Sequence, residues 1–298
     1  MNWILSSIIA TFGATCYTSF LKLTQSYYDS KTVIGFLILC SFIYYFITSD
    51  EKNIIKMFEP YACIAGILFG LMATSINEAI KLSNNPGIPS CIVRSNVLIT
   101  YILSLFVFGL KFAWSKFFAI SVIIVGCLIT ILPDIKNFKS SNNMWILMTI
   151  IAGLFSSGND ILSKLSLNKI STENYLVIQM LAAALTAIGV QYARTKTYSL
   201  KVLPKDKREK VSKIYLFNKY PQLSLGVAFA GLIIFRKFLG IAIKKATNPS
   251  YPRAIFNSQF LFSILLSLGI QKGSAINNYQ WAGSSVILAG ILGLSLQK

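Results

Sequence analysis

The chain has 298 residues, 54% hydrophobic and 13% charged, with a formal net charge of +18. A soluble domain carries roughly 25% charged residues, so this composition excludes an ordinary water-soluble globule. The absence of histidine removes histidine general bases, histidine metal ligands and Ser-His or Cys-His pairs.

The apolar residues come in blocks of about twenty, the length that crosses a bilayer. They predict ten spans, at 3–22, 32–48, 59–81, 89–110, 114–133, 144–166, 174–193, 221–244, 252–271 and 279–297. Met1-Asn2-Trp3 lacks the basic segment of a signal peptide, so the first run is read as a span. Pro60, Pro89, Pro221 and Pro252 fall at span starts, where a missing backbone N–H costs little, and Pro133 closes the fifth span. Trp3, Trp114, Trp145 and Trp281 each open a span, the usual place for tryptophan at headgroup level. Cys16, Cys40, Cys63, Cys91 and Cys127 all lie inside spans with no C-x-x-C spacing, so they read as small hydrophobes. No metal site and no cofactor are expected.

The positive charge concentrates between Arg194 and Lys219, where nine Lys/Arg face Asp206 and Glu209. A basic segment beside a membrane span is expected to be a solvated loop or to meet anionic lipid headgroups, and no nucleic-acid partner is expected.

The chain is internally duplicated. Ala79–Asn96 reads AIKLSNNPGIPSCIVRSN and Ala242–Gln259 reads AIKKATNPSYPRAIFNSQ, identical at eight of eighteen positions. Asn85, Pro86 and Pro89 in the first copy match Asn248, Pro249 and Pro252 in the second. Trp3–Leu23 also aligns without gaps with Trp145–Leu165, sharing Trp3/Trp145 and Lys22/Lys164 among other identities. The halves divide at 1–138 and 139–298, and each holds five spans. An odd number inserts the second half upside down relative to the first, which is inverted-repeat topology.

These motifs resemble the drug/metabolite transporter superfamily, and within it the EamA-like group. The carrying residues are the Ala-Ile-Lys…Asn-Pro…Pro link and the two apolar spans after it, here Ala79–Pro133 and Ala242–Lys298. The resemblance implies an all-α integral membrane fold of ten transmembrane helices in two inverted five-helix repeats. It also implies transport, with both termini cytoplasmic. Members often carry a Glu before the last span of a repeat. Here Gly109-Leu110-Lys111 and Gln271-Lys272-Gly273 stand there instead.

Ionisable and amide side chains inside spans mark the candidate substrate path. Glu78 and Arg94 flank the first link, where they line a path or form an ion pair; Lys81 is the other partner open to Glu78. Asn159 and Asp160 sit deep in the sixth span beside Gly158, with Tyr17 and Thr18 as their repeat mates. Asp160 faces a cavity or pairs with Lys164 at i+4. Arg236 and Lys237 point about 100° apart, so one is expected to face inward and the other to reach a headgroup. Asn257 and Gln259 stand where the first repeat has Arg94 and Asn96, either as a central site or as polar helix contacts. The Asn-Pro links end one helix and start the next. At the membrane surface they are turns; pointing inward, their N–H groups favour an anion.

Short links on the side of the termini carry ten Lys/Arg, including Lys244, Lys245 and Arg253. Those opposite carry six, to which the basic loop adds nine. The short links agree with cytoplasmic termini and the loop opposes them.

The expected function is a secondary transporter moving a small polar metabolite of amino acid, nucleotide sugar or sugar phosphate type. The lipid bilayer is its solvent, and proton coupling and a homodimer are left open. The alternative is a transport-inactive membrane scaffold or receptor on the same fold. An intramembrane enzyme is disfavoured, because the two embedded carboxylates lie in separate halves.

Overall fold

The computed structural model describes residues 2–82, 87–94, 96–136, 144–196, 200–203, 212–270 and 278–295. In chain order the helices are α1 (Trp3–Thr24), α2 (Ser30–Thr48), α3 (Ile54–Met57), α4 (Pro60–Leu82), α5 (Gly87–Arg94), α6 (Val97–Phe108) and α7 (Trp114–Lys136). They continue with α8 (Met144–Leu167), α9 (Thr172–Thr195), α10 (Tyr215–Lys219), α11 (Pro221–Lys245), α12 (Ser250–Phe256), α13 (Gln259–Ile270) and α14 (Asn278–Ser295). Among the described residues, seven stretches are long and apolar enough to cross a membrane: α1, α2, α4, α8, α9, α11 and the run Ser250–Ile270 formed by α12 and α13. The protein is therefore an all-α, multi-pass membrane protein.

Local chemistry sets the helix ends. Asn2 caps α1, its side-chain oxygen accepting from the Ile4 N–H at 2.6 Å, and the Ser171 hydroxyl caps α9 by accepting from Asn174. The Glu59 carboxylate accepts from the Ala62 N–H at 2.8 Å ahead of α4, and Pro221 opens α11. Along α1, the hydroxyls of Ser7, Thr11, Thr15 and Thr18 donate to carbonyls one turn back at 2.8–2.9 Å. These bonds let a polar stripe sit in an apolar bundle without orphaned donors.

Small residues bring the long helices together. α1 packs on α11 where Gly13 and Gly231 meet; a Cβ on Gly13 would lie 2.7 Å from the Phe235 nitrogen. α4 packs on α8 and on α9, where Gly66 and Gly70 face Gln179–Ala183 and Thr186. α7 packs on α14 through Gly126 and Gly290, and α2 packs on α9. With no hydrophobic drive between helices in lipid, close backbone approach supplies the packing energy.

Two predicted spans are not continuous. The run 89–110 breaks after α5 and the run 252–271 breaks between α12 and α13. At the second break, Asn257 and Ser258 N–H groups turn back to Ala254 and Ile255 carbonyls at 3.1 and 3.0 Å, tightening the last turn. At the first, the Asn96 carbonyl accepts from the Ser157 hydroxyl of α8 at 3.2 Å. That carbonyl also accepts from the Thr100 N–H at 2.9 Å, so the Ser157 hydroxyl adds a tie from α8 to the start of α6. Pro89 and Pro252 each stand third in their helices, and the Asn248 side chain accepts from the Ser250 N–H at 2.8 Å. Asn248, Pro249 and Ser250 are buried, so the second link is not a surface turn.

Two lysines at equivalent points of the sequence repeat do the same work. The Lys22 ammonium donates to the Ile80 and Lys81 carbonyls at the end of α4, at 2.9 and 3.0 Å. Lys164 donates to the Lys244 and Ala246 carbonyls at the end of α11, at 2.9 and 2.7 Å. Each cation meets the negative end of a neighbouring helix dipole. Lys164 is thus a cap, and not the partner of Asp160. The described parts of the basic loop lie on the α1–α2 link and the end of α13. Asp29 and Leu203 N–H groups donate to Lys201 and Tyr27 carbonyls, and Lys213 N–H to Ile270.

Lys22→Met and Lys164→Met are each expected to cost about 1–2 kcal/mol of stability, read as a lower thermal midpoint in detergent. Lys81→Met, whose side chain is exposed, should leave the midpoint in place.

Candidate functional site

Five helices converge on a buried polar cluster. Asp160 on α8 is fully buried, and Arg253 on α12 grips it with both arms of its fork: Nε donates to Oδ2 at 2.5 Å and Nη2 donates to Oδ1. This bidentate geometry is the strongest form of a charge-assisted hydrogen bond. Asn159, beside it, accepts from the Gln179 amide of α9 at 2.8 Å, and Gln179 Oε1 accepts from Arg236 Nη2 of α11. The Ser163 hydroxyl donates to the Asn159 carbonyl at 2.5 Å and also bonds to Tyr175. Arg236 is 3% exposed and stacks its guanidinium 4.1 Å from the centre of the Phe69 ring on α4. The cluster holds two guanidinium groups and one carboxylate.

A narrow cavity, with about 50 Å³ of space open to water, adjoins the cluster. Arg253 reaches its wall, together with Ser90, Ser156, Tyr17, Thr18 and Gln259 as the polar lining. Phe69, Met72, Ile76, Ile80, Phe235 and Phe256 supply the apolar wall. Phe235 and Phe256 stack 4.9 Å apart at 8°. The Gln259 amide donates to the Ala14 carbonyl at 2.7 Å and to Thr18 at 2.9 Å, tying α13 to α1 along one edge.

The lining follows the sequence repeat. The alignment that pairs Trp3 with Trp145 and Ala79 with Ala242 pairs Ala14 with Ser156, Met72 with Phe235, Ser90 with Arg253, and Val93 with Phe256. All eight residues line the cavity. Tyr17, Thr18, Ala73, Ile76 and Ile80 also line it, and their mates Asn159, Asp160, Arg236, Leu239 and Ile243 do not. The cavity therefore runs toward the face where α1 and α4 end. At the equivalent place toward the face where α8 and α11 end, the charged cluster fills the space.

Of the residues expected from sequence, Tyr17 and Gln259 line the cavity, and Asn159, Asp160 and Arg236 form the cluster. Lys237 is exposed while Arg236 points inward, as their angular separation requires. Asn96 and Asn257 lie at the two helix breaks. Glu78 pairs with Arg194 of α9, its carboxylate 3.6 Å from the guanidinium, and not with Lys81; it does not line the cavity. Asn85, Pro86 and the Arg94 side chain lie outside the described residues. Arg253, counted from sequence as a charge in a link, is buried on α12, so one charge leaves that side of the orientation count. Gln179 and Tyr175 escaped sequence reading because only the packing of α9 on α4 and α8 brings them to Asn159 and Ser163.

No protein-family model matches the chain, and no curated protein matches it. Among solved structures, it is similar to one described as "Crystal structure of protein", with a TM-score of 0.59 and 14% identity over 99% of this chain and 95% of that one. At that identity the likeness speaks to the fold alone, which it covers from end to end.

Gln179→Leu removes the acceptor of Arg236 and the donor of Asn159 together. It should cost about 1–3 kcal/mol, seen as a fall in the thermal midpoint, because the buried Asn159 oxygen and Arg236 Nη2 lose the partner that Gln179 supplies.

Proposed function

We propose that this protein is a secondary transporter of a small polar metabolite, working by alternating access in a drug/metabolite transporter-like, EamA-like fold. In this reading ten spans form two inverted five-helix repeats, 1–138 and 139–298. α5 with α6 makes the fourth span, α7 the fifth, α12 with α13 the ninth and α14 the tenth. Both termini are cytoplasmic.

The helix pairing supports the repeat. Exchanging each helix for its repeat mate turns α1–α11 into α8–α4, α1–α12 into α8–α5, and α5–α13 into α12–α6, while α2–α9 and α7–α14 map onto themselves; every one of these contacts occurs. Two discontinuous helices at corresponding points of the halves also fit, since transporters place binding sites at such breaks.

The observation that carries the reading is the one-sided cavity. It is lined by repeat-equivalent residues of both halves, extends toward one face, and is blocked toward the other by the Asp160–Arg253 cluster. Rocking the α1–α11 pair, with α12, against the α4–α8 pair would close Tyr17 and Thr18 on Ala73 and draw Arg253 away from Asp160.

Reconstituted vesicles loaded with a candidate compound should exchange it for labelled compound outside, tested across amino acids, nucleotide sugars, nucleoside monophosphates and sugar phosphates. Ala73→Phe fills the cavity and should cut exchange at least tenfold with the thermal midpoint little changed. Unchanged exchange in that variant would place the path elsewhere, and no exchange of any class would favour the scaffold.

A further inference from the structure

We infer that the ligand of this cavity is an organic monoanion with a flat, apolar body, its charge drawn by the surplus guanidinium of the Arg253–Arg236 pair. The inference deepens the transporter reading and rests on it.

The charge inventory points there. The chain has ten acidic residues, and Asp160 is the one placed in the inner part of a long span. The others fall, in sequence, within about a turn of a helix end or in links, and the nearest of them, Glu78, serves Arg194. Asp160 has both oxygens on Arg253. Arg236 has the Gln179 amide oxygen, the Tyr175 hydroxyl and an aromatic face, none of them charged, and its Nε has no hydrogen-bond partner. A guanidinium cannot shed its proton to escape this position. A buried cation without a counter-ion is costly, so an anion arriving in the cavity gains what the protein lacks. One surplus charge calls for one negative charge.

The lining sets the rest of the molecule. Arg253 is shared between Asp160 and the cavity wall, so its planar fork can pass from one carboxylate to an equivalent anion. Phe69 touches both Arg236 and the cavity. The parallel rings of Phe235 and Phe256, with Met72 and Ile76, form a wall for a flat apolar body. A cationic ligand finds no free carboxylate among the described residues of the lining.

The test is a thermal-midpoint titration of the detergent-purified protein with benzoate, phenyl phosphate, benzamide and benzylammonium. Benzoate or phenyl phosphate should raise the midpoint saturably, the two arms separating carboxylate from phosphate ester, while neutral benzamide and benzylammonium should not. Gln179→Glu supplies the missing carboxylate from within and should weaken anion binding at least tenfold while keeping the fold. Asp160→Asn frees Arg253 and should tighten it severalfold; Arg236→Gln, the second variant should that one fail to fold, should weaken it at least tenfold. Anion binding indifferent to Gln179→Glu and Arg236→Gln, or no shift with either anion, overturns the inference. If benzamide or benzylammonium stabilises instead and Ala73→Phe abolishes the effect, the anion class falls while the transporter cavity stands. The transporter reading falls only if vesicle exchange also fails for every class.

Discussion

The bond between Asp160 and Arg253 is the constraint on which the rest of the interior depends. A carboxylate and a guanidinium removed from water lose several kcal/mol of hydration each, and only near-ideal geometry recovers it. Here the geometry is bidentate, and the partners come from α8 and α12, helices that belong to different spans of the second half. Holding them in register fixes the short helix α12 against the bundle. That in turn places Phe256 against Phe235 and leaves the chain to break at Asn257 before α13 begins. Asn159, Gln179 and Arg236 extend the same network across α9 and α11, so three long-range contacts, Asp160–Arg253, Asn159–Gln179 and Gln179–Arg236, belong to one network.

The two copies of the sequence repeat carry different side chains at equivalent positions. Where the second half has Asn159, Asp160, Arg236 and Arg253, the first has Tyr17, Thr18, Ala73 and Ser90. The charged set packs solid; the neutral set surrounds space. In the proposed transporter, a repeated backbone with unlike side chains would favour one of two packings, because packed interfaces switch between discrete arrangements and do not deform continuously. The lysine caps on α4 and α11 belong to the symmetric part, since they close a helix end in each half by the same contact.

Much of the fold was legible in the sequence. Block length announced membrane helices, and the repeated Trp, Lys and Asn-Pro positions announced the duplication. The cost of charge in lipid pointed Asp160 to a cavity or a partner, and required one of Arg236 and Lys237 to turn inward without saying which. What stayed hidden has specific physical reasons. The breaks at Asn96 and Asn257 leave no mark on hydropathy, which registers apolar content and not where a helical hydrogen bond lapses. The partner of Asp160 was sought one turn away at Lys164, yet that lysine lies where α8 meets the end of α11 and serves the carbonyls there. Arg253 looked like a link charge because it follows Pro252; the helix actually begins at Ser250, inside the bundle. Gln179 carries no sequence signal of its own, since an amide on α9 becomes functional only by what α4 and α8 bring to it.

The most direct measurement is a double-mutant cycle on the central pair: unfolding free energies of the wild type, Asp160→Asn, Arg253→Gln and the double variant in the same detergent. Each single change is expected to cost about 3–5 kcal/mol by stranding the other charge. The double variant should cost little more than either, a coupling of about 2 kcal/mol or more. Additive costs would contradict a shared buried bond, and with it a closed face held by Asp160 and Arg253.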